Sequence, residues 1–186
     1  RDLHSFPTRR SSDLVWMYRE QLVQVGVIEA LLEDFDGYLE KQGYLAMGGQ
    51  IIDASIVAVP KQRNNRDENE KIKEGETPEG WDDNPAKRSQ KDTDARWTKK
   101  HGKNYYGYKN HVNIDRRHKL VRRYQVTDAA VHDSQAVEGI LDPNNTASGV
   151  WADSAYRSAG IEAKLTEKAL KSQIRSEEHT SELQSQ

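Results

Sequence analysis

Ten residues, QIIDASIVAV from Gln50 to Val59, constrain this chain more than any other stretch: they are β-branched and almost wholly apolar, with one carboxylate, Asp53, in their midst. Such a run suits a strand covered on both faces, and Pro60 ends it because proline cannot donate to a ladder. The strand therefore belongs to a sheet with helices packed on it, and the flanking patterns decide which kind. Before it, residues 15–48 read as a helical arm. Ile28, Leu31, Leu32, Phe35 and Leu39 follow the helical repeat of one buried face, Gly26 interrupts the pattern, and Gly43 with Gly48 and Gly49 ends it.

After it, Lys61 to Ala95 carries eight basic and ten acidic residues with scarcely an aliphatic side chain. A segment of that composition buries too little apolar area to offset its ordering entropy, so residues 61–95 are expected to be a mobile insertion. Order resumes near Trp97. From Tyr105 to Ile114 the chain alternates, with Tyr106, Tyr108, Val112 and Ile114 on one side and Lys109 and His111 on the other. Leu120 to Val126 supplies a hairpin partner across the link from Asp115 to His118. Asp133 is placed to cap a helix that buries Ala136, Val137, Ile140 and Leu141. A turn at Pro143 precedes a short buried strand, Gly149 to Ala152, that delivers Asp153. A last amphipathic helix starts near Ser158 and presents Ile161, Leu165 and Ala169. The order predicts an α/β fold with a mixed sheet.

Composition removes several function classes. The 186 residues contain no cysteine, which excludes a disulfide framework, a thiol nucleophile and a thiolate zinc site. No apolar run approaches the roughly 20 residues that cross a bilayer, and no signal-peptide core is evident, so a cytoplasmic protein without a membrane partner is expected. Both ends look foreign: residues 4–14 resemble one reading frame of a short-read sequencing adapter, and residues 175–185 resemble its partner adapter. Setting aside 1–14 and 175–186 leaves 24 basic and 25 acidic residues between Val15 and Ile174, a formal charge of −1. Net charge is thus silent about partners.

Two aspartates are associated with apolar strands, Asp53 within one and Asp153 at the end of another, 100 residues apart. A carboxylate withdrawn from water needs a partner, and a hard divalent cation takes oxygen ligands from one or two carboxylates while keeping several waters. Spacing alone leaves open a pair held by backbone amides or a salt bridge. Four blocks in order, IIDASIVAVP, YYGYKNHVNID, VTDAAVHDSQA and WADSAYRS, resemble the core of insertion-sequence transposases of the DDE class. The nearest group is the one typified by insertion sequence five, and the resemblance covers residues 15–174. It implies an RNase H-like fold, with Asp53 and Asp153 matching the first two catalytic, metal-holding acids and Mg2+ or Mn2+ as cofactor. The class's third acid is a glutamate on a later helix, beyond another strand. It has no counterpart before Arg175, so the site is expected to be incomplete and this chain inactive. Glu162 and Glu167 follow Asp153 too closely and read as a solvated helix face. His132 and Asp133 read as a capping turn, Asp128 as a loop residue, and neither His111 nor His132 as a ligand.

Between Arg96 and Arg123 lie Arg96, Lys99, Lys100, Lys103, Lys109, Arg116, Arg117, Lys119, Arg122 and Arg123, opposed by Asp115 alone, a local charge of +9. Clustered cations of this kind bind the phosphate backbone with an affinity that falls steeply with salt. A solvated hairpin balanced by the acidic insertion is the alternative. Tyr106 and Tyr108 share a face with Val112 and Ile114, which favours core packing over base stacking. The resemblance implies metal-dependent phosphodiester cleavage and strand transfer in the parent protein. The implied partners are double-stranded DNA, as transposon ends and target, and further copies in a homo-oligomer. The competing expectations are an inactive DNA-binding remnant and a metal-dependent hydrolase of small substrates; the basic stretch opposes the latter.

Overall fold

The computed structural model describes residues 11–175 with His101 excepted, and of Ser11 and Ser12 the backbone alone. The end segments, as far as they comprise residues 1–10 and 176–186, lie outside the described residues. The chain divides into two units after Leu45. No helix of the described residues is long and apolar enough to cross a membrane.

The first unit is helical. Helix α1 (Ser11–Gln24) begins within the stretch set aside as adapter-like. It ends at Gly26, whose φ of 68° is the left-handed geometry that glycine adopts cheaply. Helix α2 (Ile28–Lys41) closes in the same way at Gly43, with the Tyr44 N–H reaching back to the Leu39 carbonyl at 2.9 Å. Its apolar stripe forms as the periodicity predicts, but no residue of α2 is buried, and Leu31 and Phe35 are 49% and 57% exposed. Helical spacing fixes where apolar side chains line up; it does not supply what covers them.

The second unit is built on one mixed sheet. Strand β1 (Gln50–Ala58) pairs antiparallel with β3 (Lys103–Asp115) and, on its other side, parallel with β5 (Gly149–Trp151). Strand β6 (Lys171–Ser172) lies parallel to β5, while β2 (Arg96–Lys100) and β4 (Val121–Asp128) both pair with β3. Beyond β6 the Arg175 N–H still reaches the Ala152 carbonyl at 3.2 Å, so a residue assigned to the foreign tail continues the ladder. Helix α5 (Asp133–Ile140) and helix α6 (Ala159–Glu167) complete the core, in which Ile52 and Val150 of the sheet meet Val137, Ile140, Ile161, Leu165, Tyr156 and Ile174. The α5 cap is His132, whose Nδ1 accepts from the Ser134 N–H, so Asp133 falls in the first turn instead of capping it. Helix α6 starts where the sequence predicts, with Ser158 as its cap. Ala169 lies past the helix end at φ 56°, and Leu170 takes the core contact expected of it.

Two expectations about faces are corrected. β1 is covered on one face only, with Gln50 and Ile52 buried and Asp53 exposed. On the opposite face Val57 of β1 and Val126 of β4 remain 48% and 56% exposed. In β3 the alternation is right, but the face turned into the helices carries His111, Asn113 and Asp115, all fully buried, rather than Val112 and Ile114. Polar groups in such a position depend on hydrogen bonds, and those of Asn113 are met at its amide nitrogen but not at Oδ1. The Asn113 amide donates to Gln50 Oε1 at 2.5 Å and to the Ile140 carbonyl at 2.6 Å. Gln50 in turn exchanges hydrogen bonds with the backbone of Asp142, at 3.1 and 2.8 Å. This network ties β1 and β3 to the end of α5.

The charged stretch 61–95 has local structure that composition did not foresee. Helix α3 (Arg66–Lys73) starts with a reciprocal Asn65–Glu68 capping box, and helix α4 (Pro85–Ser89) follows Asn84. Trp81 and Ile72 are buried, the former completely. One large indole thus supplies apolar area that a count of charges hides. The stretch also meets β3, where the Tyr106 hydroxyl donates to the Asp92 carbonyl and the Tyr108 hydroxyl to its carboxylate at 2.6 Å.

Candidate active site and nucleic-acid surface

The two aspartates occupy equivalent register positions on adjacent parallel strands. In the parallel ladder Gln50 lies opposite Val150 and Ile51 opposite Trp151, an offset of 100 residues. Asp53 and Asp153 have the same separation, so each stands two residues beyond the last bridge, Asp53 still within β1 and Asp153 just past the end of β5. The close approach that aligns the strands depends on Gly49, at φ 98°: a Cβ there would lie 2.3 Å from the Trp151 ring.

Both carboxylates are exposed, and each uses one oxygen on its own backbone. Asp53 Oδ1 accepts from the Ala54 N–H at 2.8 Å. Asp153 Oδ1 accepts from the Ala155 N–H at 3.1 Å and so caps the 3-10 turn Ser154–Tyr156. No lysine or arginine of the described residues pairs with either. The donor set is therefore hard oxygen with lone pairs to spare, which suits a hard divalent cation and not a soft metal. Among the described residues no group of three or more histidine, aspartate or glutamate side chains gathers to hold an ion. Glu162 takes a hydrogen bond from the Ser172 hydroxyl at 2.8 Å and lies 3.9 Å from Arg157, and Glu167 is exposed at the end of α6.

Beneath the pair sits a buried cluster that sequence reasoning missed. Tyr156 is fully enclosed, and its hydroxyl lies 3.3 Å from His111 Nδ1, while His111 Nε2 lies 3.1 Å from the Thr127 hydroxyl. Burial lowers the His111 pKa, outweighing the attraction of Asp133, and keeps the ring neutral. Burial also pushes the Tyr156 phenol far above its ordinary range, and the charges of Asp133, Asp53 and Asp153 reinforce the shift. The available signal was the aromatic three residues after Asp153, one turn along. Asp133 is bound to Lys109 at 2.8 Å, and the Lys109 ammonium also donates to the Val131 carbonyl at 2.7 Å. Next to them a cavity of about 280 Å³ opens, lined among others by Lys99, Lys100, Lys109, His132, Asp133 and Asp153.

The ten cations expected to face DNA do not form one surface. Arg122 is 3% exposed and bound to the buried Asp115, its Nε 3.2 Å from Oδ1, so it is a structural residue and not a phosphate contact. A carboxylate taken wholly out of water holds its counter-charge in place. Arg96 donates to the carbonyls of Thr93, Ala95 and Ile72, and Lys109 belongs to the Asp133 pair. The exposed remainder falls into two groups: Lys99, Lys100 and Lys103 around the β2–β3 turn, and Arg116, Arg117 and Lys119 in the β3–β4 turn, with Arg123 half-buried beside the latter. Arg116 stacks over the Trp151 ring, 4.4 Å from its centroid. Trp97 packs against Tyr106 with ring centroids 5.2 Å apart, and Tyr106 is buried there, outside the helix-covered core cluster.

Comparison with known proteins bears on this arrangement directly. The model of the transposase DDE domain family matches residues 45–185, a span that includes most of the tail set aside as adapter-like. The chain is 30% identical over 163 residues to the transposase for insertion sequence element IS1106 of Neisseria meningitidis serogroup B. That match takes in 84% of this chain and 52% of the relative, so the chain spans about half the relative's length. No solved structure matches. The mixed six-stranded sheet with flanking helices is the RNase H-like arrangement of this class, and the family match covers most of the chain: it belongs to the transposase DDE domain family.

Proposed function

We propose that this chain carries the first two catalytic acids of a metal-dependent DNA strand-cleaving and strand-transferring site, Asp53 and Asp153. The reading is supported by the parallel register, in which Asp53, within β1, is level with Asp153, just past β5. These two carboxylates would hold Mg2+ or Mn2+, which when bound supplies neutralisation of the reacting phosphate and activation of the attacking oxygen. Water attacks a phosphodiester at a transposon end, the bond from phosphorus to the 3′ oxygen breaks, and the freed 3′-hydroxyl attacks a phosphodiester of target DNA. Both steps are in-line displacements in which positioning and charge dominate. Lys99 and Lys100, on the rim of the cavity that Asp153 lines, bind the backbone phosphates nearest the reaction. The class's third acid comes from outside the described residues. The partners are double-stranded DNA and further copies of the longer protein, in the bacterial cytoplasm and on the nucleoid while DNA is bound.

The test uses the longer protein, with Asp53→Asn and Asp153→Asn assayed for Mg2+-dependent cleavage of DNA bearing the element's end. Each variant should lose activity by on the order of a hundredfold or more while still binding DNA. Normal cleavage by either would overturn the proposal.

A further inference from the structure

The buried cluster under the aspartates takes one direction when the Thr127 hydroxyl donates to the Asp128 carbonyl. Thr127 has one hydroxyl hydrogen, and it goes to the Asp128 carbonyl at 3.1 Å. The Thr127 oxygen therefore receives its other hydrogen bond from His111 Nε2, at 3.1 Å. A neutral imidazole protonated at Nε2 can only accept at Nδ1, so the Tyr156 hydroxyl donates there, at 3.3 Å. The chain runs Tyr156 to His111 to Thr127 to the Asp128 backbone, from the Asp153 turn across β3 to the end of β4. His111 pairs with Ala54, the residue after Asp53. Tyr156 closes the turn that Asp153 caps, its N–H reaching the Asp153 carbonyl at 3.2 Å.

From this geometry, and resting on the metal-site reading above, we propose that Tyr156 is a positioning residue: through His111 and Thr127 it fixes the Asp153 turn relative to Asp53. The ring fills the core, which any aromatic would do; the hydroxyl sets the register between the two acids. Its hydrogen is committed to His111, so it does not compete with a cation for a carboxylate lone pair. The arrangement matches how outer partners orient first ligands in metal sites, where losing one typically weakens binding about tenfold or more.

The experiment follows Mn2+ binding to this chain by the decline of the free-ion electron paramagnetic resonance signal, alongside thermal melting. Tyr156→Phe should weaken Mn2+ about tenfold with cooperative melting retained. Thr127→Val, which breaks the far end of the chain without touching the Asp153 turn, should weaken it in the same direction by less. Nitrogen NMR should show His111 protonated at Nε2. Wild-type Mn2+ affinity in Tyr156→Phe, while Asp153→Asn binds poorly, overturns the positioning role and leaves the metal site standing. Should Tyr156→Phe not fold, wild-type affinity in folded Thr127→Val overturns the role equally. If Asp53→Asn and Asp153→Asn both bind Mn2+ as the unaltered chain does, the metal-site reading itself fails.

Discussion

Asp115 has no exposed surface, and its two oxygens are saturated by the N–H groups of His118 and Leu120 at 2.5 and 3.1 Å and by Arg122. Removing the arginine would strand a buried charge, which costs far more than the pair contributes relative to an apolar replacement. Arg122→Met should therefore lower stability by about 3–5 kcal/mol, read from denaturant unfolding, and adding Asp115→Asn should restore part of it. A single variant as stable as the parent chain would sink this account. In the sequence Arg122 and Arg123 are indistinguishable. The usable signal was that Asp115 is the lone acid in a basic run, and that adjacent strand residues face opposite ways. Asp53 and Asp153 were singled out by the order of four sequence blocks and not by their own spacing, whereas Tyr156 was passed over because an aromatic after a strand reads first as core.

At the scale of elements, the insertion turns on Glu68. Its carboxylate closes the capping box with Asn65 and accepts from Trp81 Nε1 at 2.9 Å and Lys87 Nζ at 2.7 Å. These hydrogen bonds, led by that from Lys87, hold its pKa down to about 2. A carboxyl whose folded value is depressed contributes stability that is fully present above its ordinary value near 4.5 and is lost as pH falls toward 2. Acid should therefore loosen the packing around Trp81 across that window, seen as a change in its fluorescence that Glu68→Gln abolishes; an identical acid profile in the variant would refute it. Regular elements with strong periodicity, α2, β3 and α6, were readable from the sequence. What escaped was the partner of each face, since composition counts charges without revealing which ones meet.

Across the whole second unit, the exposed cations sit at opposite ends of β3, whose thirteen residues span about 40 Å. A linear reading made them one patch; a long strand separates them. If both groups contact duplex DNA, neutralising Lys99 and Lys100 should reduce the slope of log affinity against log salt by about two, and neutralising Arg116 and Arg117 should do likewise, independently. Unchanged slopes would remove that group from the interface. The sheet order, by contrast, was only partly legible: the hairpin of β3 and β4 announces itself locally, whereas the pairing of β1 with β5 joins residues 100 apart and needs the folded register.

That register makes the site indifferent to one kind of change and intolerant of another. Everything between β1 and β2 leaves and rejoins the sheet without entering the β1–β5 ladder, so a change in the length of residues 61–95 leaves that ladder's register untouched. One extra residue between Gly149 and Asp153 would instead turn the second acid to the opposite face of the sheet, because strand side chains alternate with a period of two. Changing the length of residues 61–95 therefore disturbs the acids less than inserting one residue after Gly149.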